Sequence, residues 1–253
     1  MQKRLESLAG TARLLIACDF DGTLAPIVER PEQARAAPEV LDDLRRAAGL
    51  PDTAVAIVSG RALDILKDLI GGAGGLWLVG GHGSEISGPG MSRRPADASL
   101  VLEAVAQPLR EAAPESLGFL HERKPSSIAV HYRGVSDAEA GKVVSGLVDS
   151  IARPAGLHVK HGKKVVEFLA SDADKGQALA VVRKAVGATG ILYVGDDITD
   201  EDAFRVLNDE DVAVKVGPPP TSADYTIESV EQTHQMLSEL IRLRAQLVGG
   251  RGP

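Results

Sequence analysis

Asp19-Phe20-Asp21-Gly22-Thr23-Leu24-Ala25-Pro26-Ile27 is the stretch on which the reading of the fold turns. It follows Leu14-Leu15-Ile16-Ala17-Cys18, an apolar run without polar alternation. Such a run suits a strand buried on both faces of a parallel sheet. Side chains alternate along a strand, so Asp19 and Asp21 share one side while Phe20 points away. Gly22 lets the backbone leave the strand in a conformation closed to other residues. In open α/β sheets the ligand crevice lies at the carboxyl ends of the strands. Two carboxylates there repel each other unless a cation or a shared proton relieves them. Asp21-Gly22 alone would be ordinary turn chemistry; the buried run before it and matching pieces downstream point to a site.

Outward from this stretch, the pattern repeats. Thr53–Val58 is a second apolar strand and ends at Ser59-Gly60-Arg61. Leu76–Val79 is a third, ending in Gly80-Gly81-His82-Gly83-Ser84-Glu85. Ile191–Val194 runs into Gly195-Asp196-Asp197, and Val212–Val216 is a further strand before a Gly-Pro loop at 217–220. Helical spacing fills 38–48, 62–70, 174–186, 200–207 and 233–247. Alternating strands and helices predict an α/β core with a parallel sheet and right-handed crossovers.

Between 90 and 171 the order changes. Ser87–Pro95 is rich in Gly, Pro and Ser and reads as a boundary. A helix over 98–113 precedes a hairpin, 119–123 and 127–132, turning at Lys124-Pro125-Ser126. A helix over 137–151 precedes a second hairpin, 158–160 and 164–169, turning at Gly162-Lys163. An α-β-β-α-β-β order is α+β, so 90–171 is expected as an inserted module splitting a core made of 1–89 and 172–253.

The 253 residues are 44% hydrophobic, enough for a sizeable core. Aromatics at 3% and a net charge of −7 argue against nucleic-acid binding by stacking or bulk charge. Cys18 is the single cysteine, so no intrachain disulfide forms; a reducing cytoplasm is compatible with that. Residues 1–10 lack the apolar core of a signal peptide, and no apolar run approaches the ~20 residues of a membrane helix. Residues 249–253 read as a frayed tail.

Asp196, Asp197 and Asp200 join Asp19 and Asp21 in a set of five carboxylates placed at strand ends. Hard oxygen ligands in that number select Mg²⁺, which often takes one or two carboxylates plus substrate phosphate and water. Ser59 can donate to a phosphoryl oxygen, and Lys175, near a helix start, supplies positive charge. Singly, each has a plain alternative: Ser59-Gly60 a turn, Lys175 a solvated helix residue, Asp200 a helix N-cap. Their order, each at a strand end or helix start, is harder to reach by accident.

Asp19-Phe20-Asp21-Gly22-Thr23, Ser59, Lys175 and Gly195-Asp196-Asp197 with Asp200 resemble the four motifs of the haloacid dehalogenase superfamily of phosphohydrolases. That resemblance implies Asp19 as nucleophile and Asp21 as general acid/base. It implies Mg²⁺ held by Asp19, by the backbone carbonyl of Asp21 and by Asp196. Asp197 and Asp200 would hold the metal at second hand or orient the site.

Ser59-Gly60-Arg61, Gly81-His82-Gly83-Ser84-Glu85, His131-Tyr132-Arg133 and Gly195 to Asp202 further resemble trehalose-6-phosphate phosphatases over nearly the whole chain. The insert then corresponds to that family's mobile cap. By motif position Glu122, Lys124 and Glu167 would bind the sugar, with Arg61, His82 and Arg133 also on the substrate. Two positions depart from the family pattern: Gly81 stands where Asn is usual, and Leu169-Ala170 stand where Arg-Pro is usual. The expected partner is a small sugar phosphate and the expected state a monomer. The alternatives are another sugar-phosphate phosphatase, for sucrose phosphate or a mannosyl-phosphoglycerate, and a silent sugar-phosphate sensor or synthase subunit.

Overall fold

The computed structural model describes residues 1–93, 98–124, 126–162 and 164–249. The chain splits into two compact units, Met1–Arg93 with Ala173–Pro253, and Arg94–Asp172. The expected turn residues Pro125 and Lys163, and residues 250–253 of the expected tail 249–253, lie outside the described residues, while Gly249 ends the helix Val230–Gly249 instead of fraying.

In the first unit, β1 (Leu14–Asp19) is buried at every position. Leu14, Ile16 and Cys18 enter one core and Leu15 and Ala17 the other, so the apolar run reflects helices on both faces. The strands parallel to it in the sheet are β2 (Thr53–Val58), β3 (Trp77–Gly80), β10 (Gly190–Gly195), β11 (Val212–Val216) and β12 (Tyr225–Ile227). One face packs against α1 (Gln2–Ala9), α2 (Pro38–Ala48), α3 (Leu63–Leu69) and α8 (Val230–Gly249); α6 (Lys175–Val186) and α7 (Asp200–Phe204) cover the other.

With β4 (Glu85–Gly88) and β5 (Met91–Arg93), the sheet order is β12-β11-β10-β1-β2-β3-β4-β5, among the described residues. β1 is therefore flanked by β10 and β2, and sequence order reverses there. This is the switch point at which open α/β sheets bind ligands. The register aligns Asp19 with Val58 on one side and Cys18 with Val194 on the other. The residues that follow β1, β2 and β10 thus emerge side by side.

Two expectations are corrected. The sheet is not wholly parallel: β4 (Glu85–Gly88) and β5 (Met91–Arg93) extend it antiparallel from β3. Ser87–Pro95, read as a boundary, pairs into this sheet over 87–93, and the division between the two units follows at Arg93. Its Gly-Pro-Gly is the turn of an edge hairpin, and turn residues read alike in both settings. Helix α1 and strand β12 were also unexpected. Leu5, Leu8 and Ala9 are the buried stripe of α1, held to the core by its tertiary partners rather than by helix propensity.

The second unit carries α4 (Ala98–Ala112), β6 (Leu120–Arg123), β7 (Ser127–His131), α5 (Asp137–Leu147), β8 (His158–Gly162) and β9 (Val165–Leu169). The antiparallel sheet runs β6-β7-β9-β8. Ile128, Val130, Val166 and Phe168 face the helices and form the core with Leu102, Leu109 and Leu147. Strand alternation leaves Glu122, Ser127, Ala129, His131, Lys160 and Glu167 on the opposite face.

Candidate active site

After β1 the chain turns tightly. Gly22 N donates to Ala25 O at 2.7 Å and Leu24 N to Phe20 O at 2.9 Å. Gly22 has φ +79°, and a Cβ there would sit 2.1 Å from Asp196 Oδ2. Glycine is therefore required on two counts, conformation and the close approach of Asp196. Asp19 is 4% exposed and Lys175 2%. Lys175 is the first residue of α6, whose N-cap Asp174 accepts from Gln177 N at 2.7 Å. Its ammonium lies 3.0 Å from Asp19 Oδ1 and 2.8 Å from Asp200 Oδ1.

Asp200 is fully buried, and each of its carboxylate oxygens accepts from the protein. Its Oδ1 also accepts from Tyr193 at 2.7 Å, and its Oδ2 accepts from Asp197 N at 2.9 Å. One oxygen each of Asp19, Asp196 and Asp200 lie within 4.8 Å of one another. Burial, and then Asp200 and Asp196 against the pull of Lys175, push the Asp19 carboxyl well above its usual range. Burial and the Asp200 charge push Asp196 up to about 6. Burial disfavours the Lys175 charge, but Asp19 and Asp200 outweigh it and raise that pKa.

Asp21 accepts a forked pair from Arg61, Nε to Oδ2 at 2.6 Å and Nη2 to Oδ1 at 2.5 Å. The Arg61 guanidinium also lies 5.8 Å from the centroid of the Phe20 ring. Ser59 is 1% exposed, and its Oγ accepts from Arg61 N at 3.1 Å, which leaves its proton for another acceptor. His82 sits at φ 54° with its backbone N donating to Ser59 O at 3.1 Å. A Cβ on Gly60 would lie 2.3 Å from the His82 ring. Sheet topology thus gathers Asp19, Asp21, Ser59, Arg61, His82, Lys175, Asp196 and Asp200 at one edge; Asp197 is exposed and stands outside the carboxylate cluster.

In the second unit, Glu122, Ala129 and Glu167 lie in one row across three strands. Glu167 Oε1 accepts from Ser127 Oγ at 2.6 Å and Lys124 Nζ at 3.0 Å. Glu122 Oε2 is 3.0 Å from His131 Nε2. That hydrogen bond first, then the Lys124 charge, hold the Glu122 carboxyl below its usual range. Arg133 is exposed beyond the end of β7.

Residues 17–235 match the trehalose-phosphatase family. The chain belongs to that family. A probable trehalose-phosphate phosphatase of Oryza sativa is 33% identical, over 94% of this chain and 73% of its own length. A trehalose-phosphate phosphatase of Mycobacterium tuberculosis is 34% identical over 88% of this chain, which spans 60% of that protein. An uncharacterized glycosyl hydrolase of the same organism is 34% identical over 94% of this chain, which spans only 19% of it. The C-terminal domain of Candida albicans trehalose-6-phosphate phosphatase superposes with a TM-score of 0.79 at 25% identity, covering 95% of this chain and 96% of that one.

Family membership implies a divalent metal, and the residues present fit one. Asp196 Oδ1 is buried without a hydrogen-bond partner, among the described residues, and the Asp196 carboxylate lies beside those of Asp19 and Asp200. An orphaned buried acceptor beside two like charges is a position that a hard cation satisfies.

Three residues of this family member went unread in the sequence. Tyr193 is a hydroxyl inside a buried run, and only the placement of β10 beside α7 shows that it holds Asp200. Ser127, in the hairpin strand, proves to anchor Glu167. Lys215 interrupts the apolar run of β11, a visible signal whose partner depends on strand order. No helix among the described residues is long and apolar enough to cross a membrane.

Proposed function

We propose that this chain is a Mg²⁺-dependent phosphatase that hydrolyses trehalose 6-phosphate to trehalose and phosphate through an aspartyl-phosphate. The observation that carries the reading is the buried Asp19–Lys175–Asp200 array beside Asp196, at the switch point of a trehalose-phosphatase family fold. Asp19, Asp196 and the backbone of Asp21 would hold the cation, with Asp197 and Asp200 supporting; when bound, it neutralises phosphate charge and keeps Asp19 ionised.

The Asp19 carboxylate attacks phosphorus, and the phosphorus–sugar oxygen bond breaks. Asp21, protonated and released from the Arg61 fork, gives its proton to the leaving sugar oxygen. It then takes a proton from the water that attacks the aspartyl-phosphate, which frees Asp19 and phosphate. Ser59 and Lys175 meet the charge on the transferring group. Arg61 and His82, at the same strand ends, would contact the substrate. Glu122, Lys124 and Glu167 in the second unit, the proposed cap, would take the hydroxyls of the sugar without phosphate, with Arg133 nearby in sequence. Paired carboxylates suit neighbouring hydroxyls because each oxygen accepts. The same reading has the chain act as a monomer in the cytoplasm on a small sugar phosphate, without nucleic-acid or membrane partners.

The test is phosphate release from trehalose 6-phosphate beside glucose 6-phosphate and sucrose 6-phosphate. Preference for trehalose 6-phosphate is expected; preference for another sugar would reassign the substrate, and no turnover on any would favour a sensor. EDTA should silence the activity and Mg²⁺ restore it, and turnover in rigorously metal-free protein would end the metal-dependent reading. Asp21→Asn should bind the cation as the parent does, because only its backbone is asked to ligate. Its turnover should fall by about 10²–10⁴-fold, and a loss under tenfold would remove Asp21 as the acid. Glu122→Ala and Glu167→Ala should each lower kcat/KM for trehalose 6-phosphate by about tenfold or more. A small aryl phosphate, which lacks the second sugar, should be hydrolysed almost unchanged. Equal losses on both substrates would show that these residues act on folding instead.

A further inference from the structure

β11 holds a lysine within Val212-Ala213-Val214-Lys215-Val216, and Lys215 is 8% exposed. An ammonium is rarely buried without partners. The register pairs Lys215 with Gly195, the last residue of β10 before the Asp196–Asp197 loop. Its Nζ donates to the backbone carbonyl oxygen of Asp196 and, at 3.2 Å, to that of Asp197.

These contacts have a specific geometric consequence. The carbonyl of Asp196 and the N–H of Asp197 belong to one planar peptide unit. Lys215 holds the oxygen of that plane, and Asp200 Oδ2 holds its N–H at 2.9 Å. Both ends of the plane are fixed, so the backbone dihedrals that aim the Asp196 side chain cannot drift. Asp196 is the residue whose Oδ1 is buried and unpartnered beside Asp19 and Asp200. A neutral residue at 215 would leave the Asp196 carbonyl to find another donor and the loop free to turn.

We infer that Lys215 is a positioning residue for the divalent cation, acting through the Asp196–Asp197 peptide. The inference rests on the metal-dependent reading above. Outer-shell partners of metal ligands typically contribute about 10–100-fold in affinity. The test is calorimetric titration of Mg²⁺ into the substrate-free full chain, for the parent, Lys215→Met and Lys215→Arg. Lys215→Met should weaken Mg²⁺ binding by about 10–100-fold. Lys215→Arg, which keeps a charge and can donate to both carbonyls, should recover most of that loss. With an aryl phosphate, Lys215→Met should need correspondingly more Mg²⁺ for half-maximal rate, with a smaller change in kcat once Mg²⁺ saturates.

Unchanged Mg²⁺ affinity in a folded Lys215→Met would overturn the inference. So would a loss that Lys215→Arg leaves in full. Should Lys215→Met fail to fold, Lys215→Ile, which suits a buried strand and cannot donate a hydrogen bond, takes its place in the titration, and parent-like affinity there overturns the inference equally. A parent protein that binds no divalent cation would instead refute the metal-dependent reading, and this inference with it.

Discussion

Asp19→Asn abolishes turnover, to a residual rate lower by about 10⁴–10⁶-fold, the class of loss that follows removal of a nucleophile. The lone pair of the amide nitrogen is delocalised into its carbonyl, and the amide oxygen is a far weaker nucleophile than a carboxylate. The fold should survive, because the substitution is isosteric and Lys175 keeps Asp200 at 2.8 Å as a charged partner. Burial already penalises the Asp19 charge, so replacing it with a neutral group relieves part of that strain on the folded state. Two measurements check the claim together. Steady-state release of phosphate reads the rate, and acid quenching with labelled substrate reads the covalent intermediate, which should form on the parent chain alone. A variant that keeps a tenth of the parent rate would refute the covalent route.

Lys175→Met is expected to damage both stability and catalysis. Lys175 is 2% exposed and is the cation shared by the buried Asp19 and Asp200. Removing one partner of a buried ion pair leaves uncompensated charge and typically costs about 3–5 kcal/mol. In urea, unfolding should shift by that amount at neutral pH. The cost has a pH signature. Without Lys175 the Asp19 carboxyl, already raised by burial, is raised further. A carboxyl whose folded pKa lies above its unfolded value loses stability as pH rises between the two values. The deficit of Lys175→Met should therefore be larger at pH 8 than at pH 5. A deficit equal at both would show that lost packing, not lost charge, is responsible. In the aryl phosphate assay kcat should fall by about 10²–10³-fold, as for loss of one donor to developing charge.

Much of the core was legible because parallel strands buried on both faces read as uninterrupted apolar runs. Leu14 to Cys18, Thr53 to Val58 and Ile191 to Val194 each announce a strand, and each ends at polar residues that belong to the site. The edge hairpin β4–β5 and strand β12 were not legible, since strands of three or four residues are stabilised by pairing with a neighbour more than by their own sequence. Helix α1 failed for a related reason, because its buried stripe is short and its partner α8 lies at the other end of the chain.

The sequence by itself determined which residues stand at strand ends, and hence that Asp19, Ser59 and Asp196 would emerge on one edge of a parallel sheet. Periodicity and residue type carry that information locally, along a single strand. Only the tertiary structure decided which strand ends are neighbours. The order β10-β1-β2 sets Asp196 and Ser59 on either side of Asp19, and α6 brings Lys175 between Asp19 and Asp200. The same order gives Tyr193 its carboxylate and Lys215 its two carbonyls. A hydroxyl or ammonium in a buried strand shows in the sequence that it must find a partner. The partner comes from an element distant in the chain, and its identity is a property of the packing.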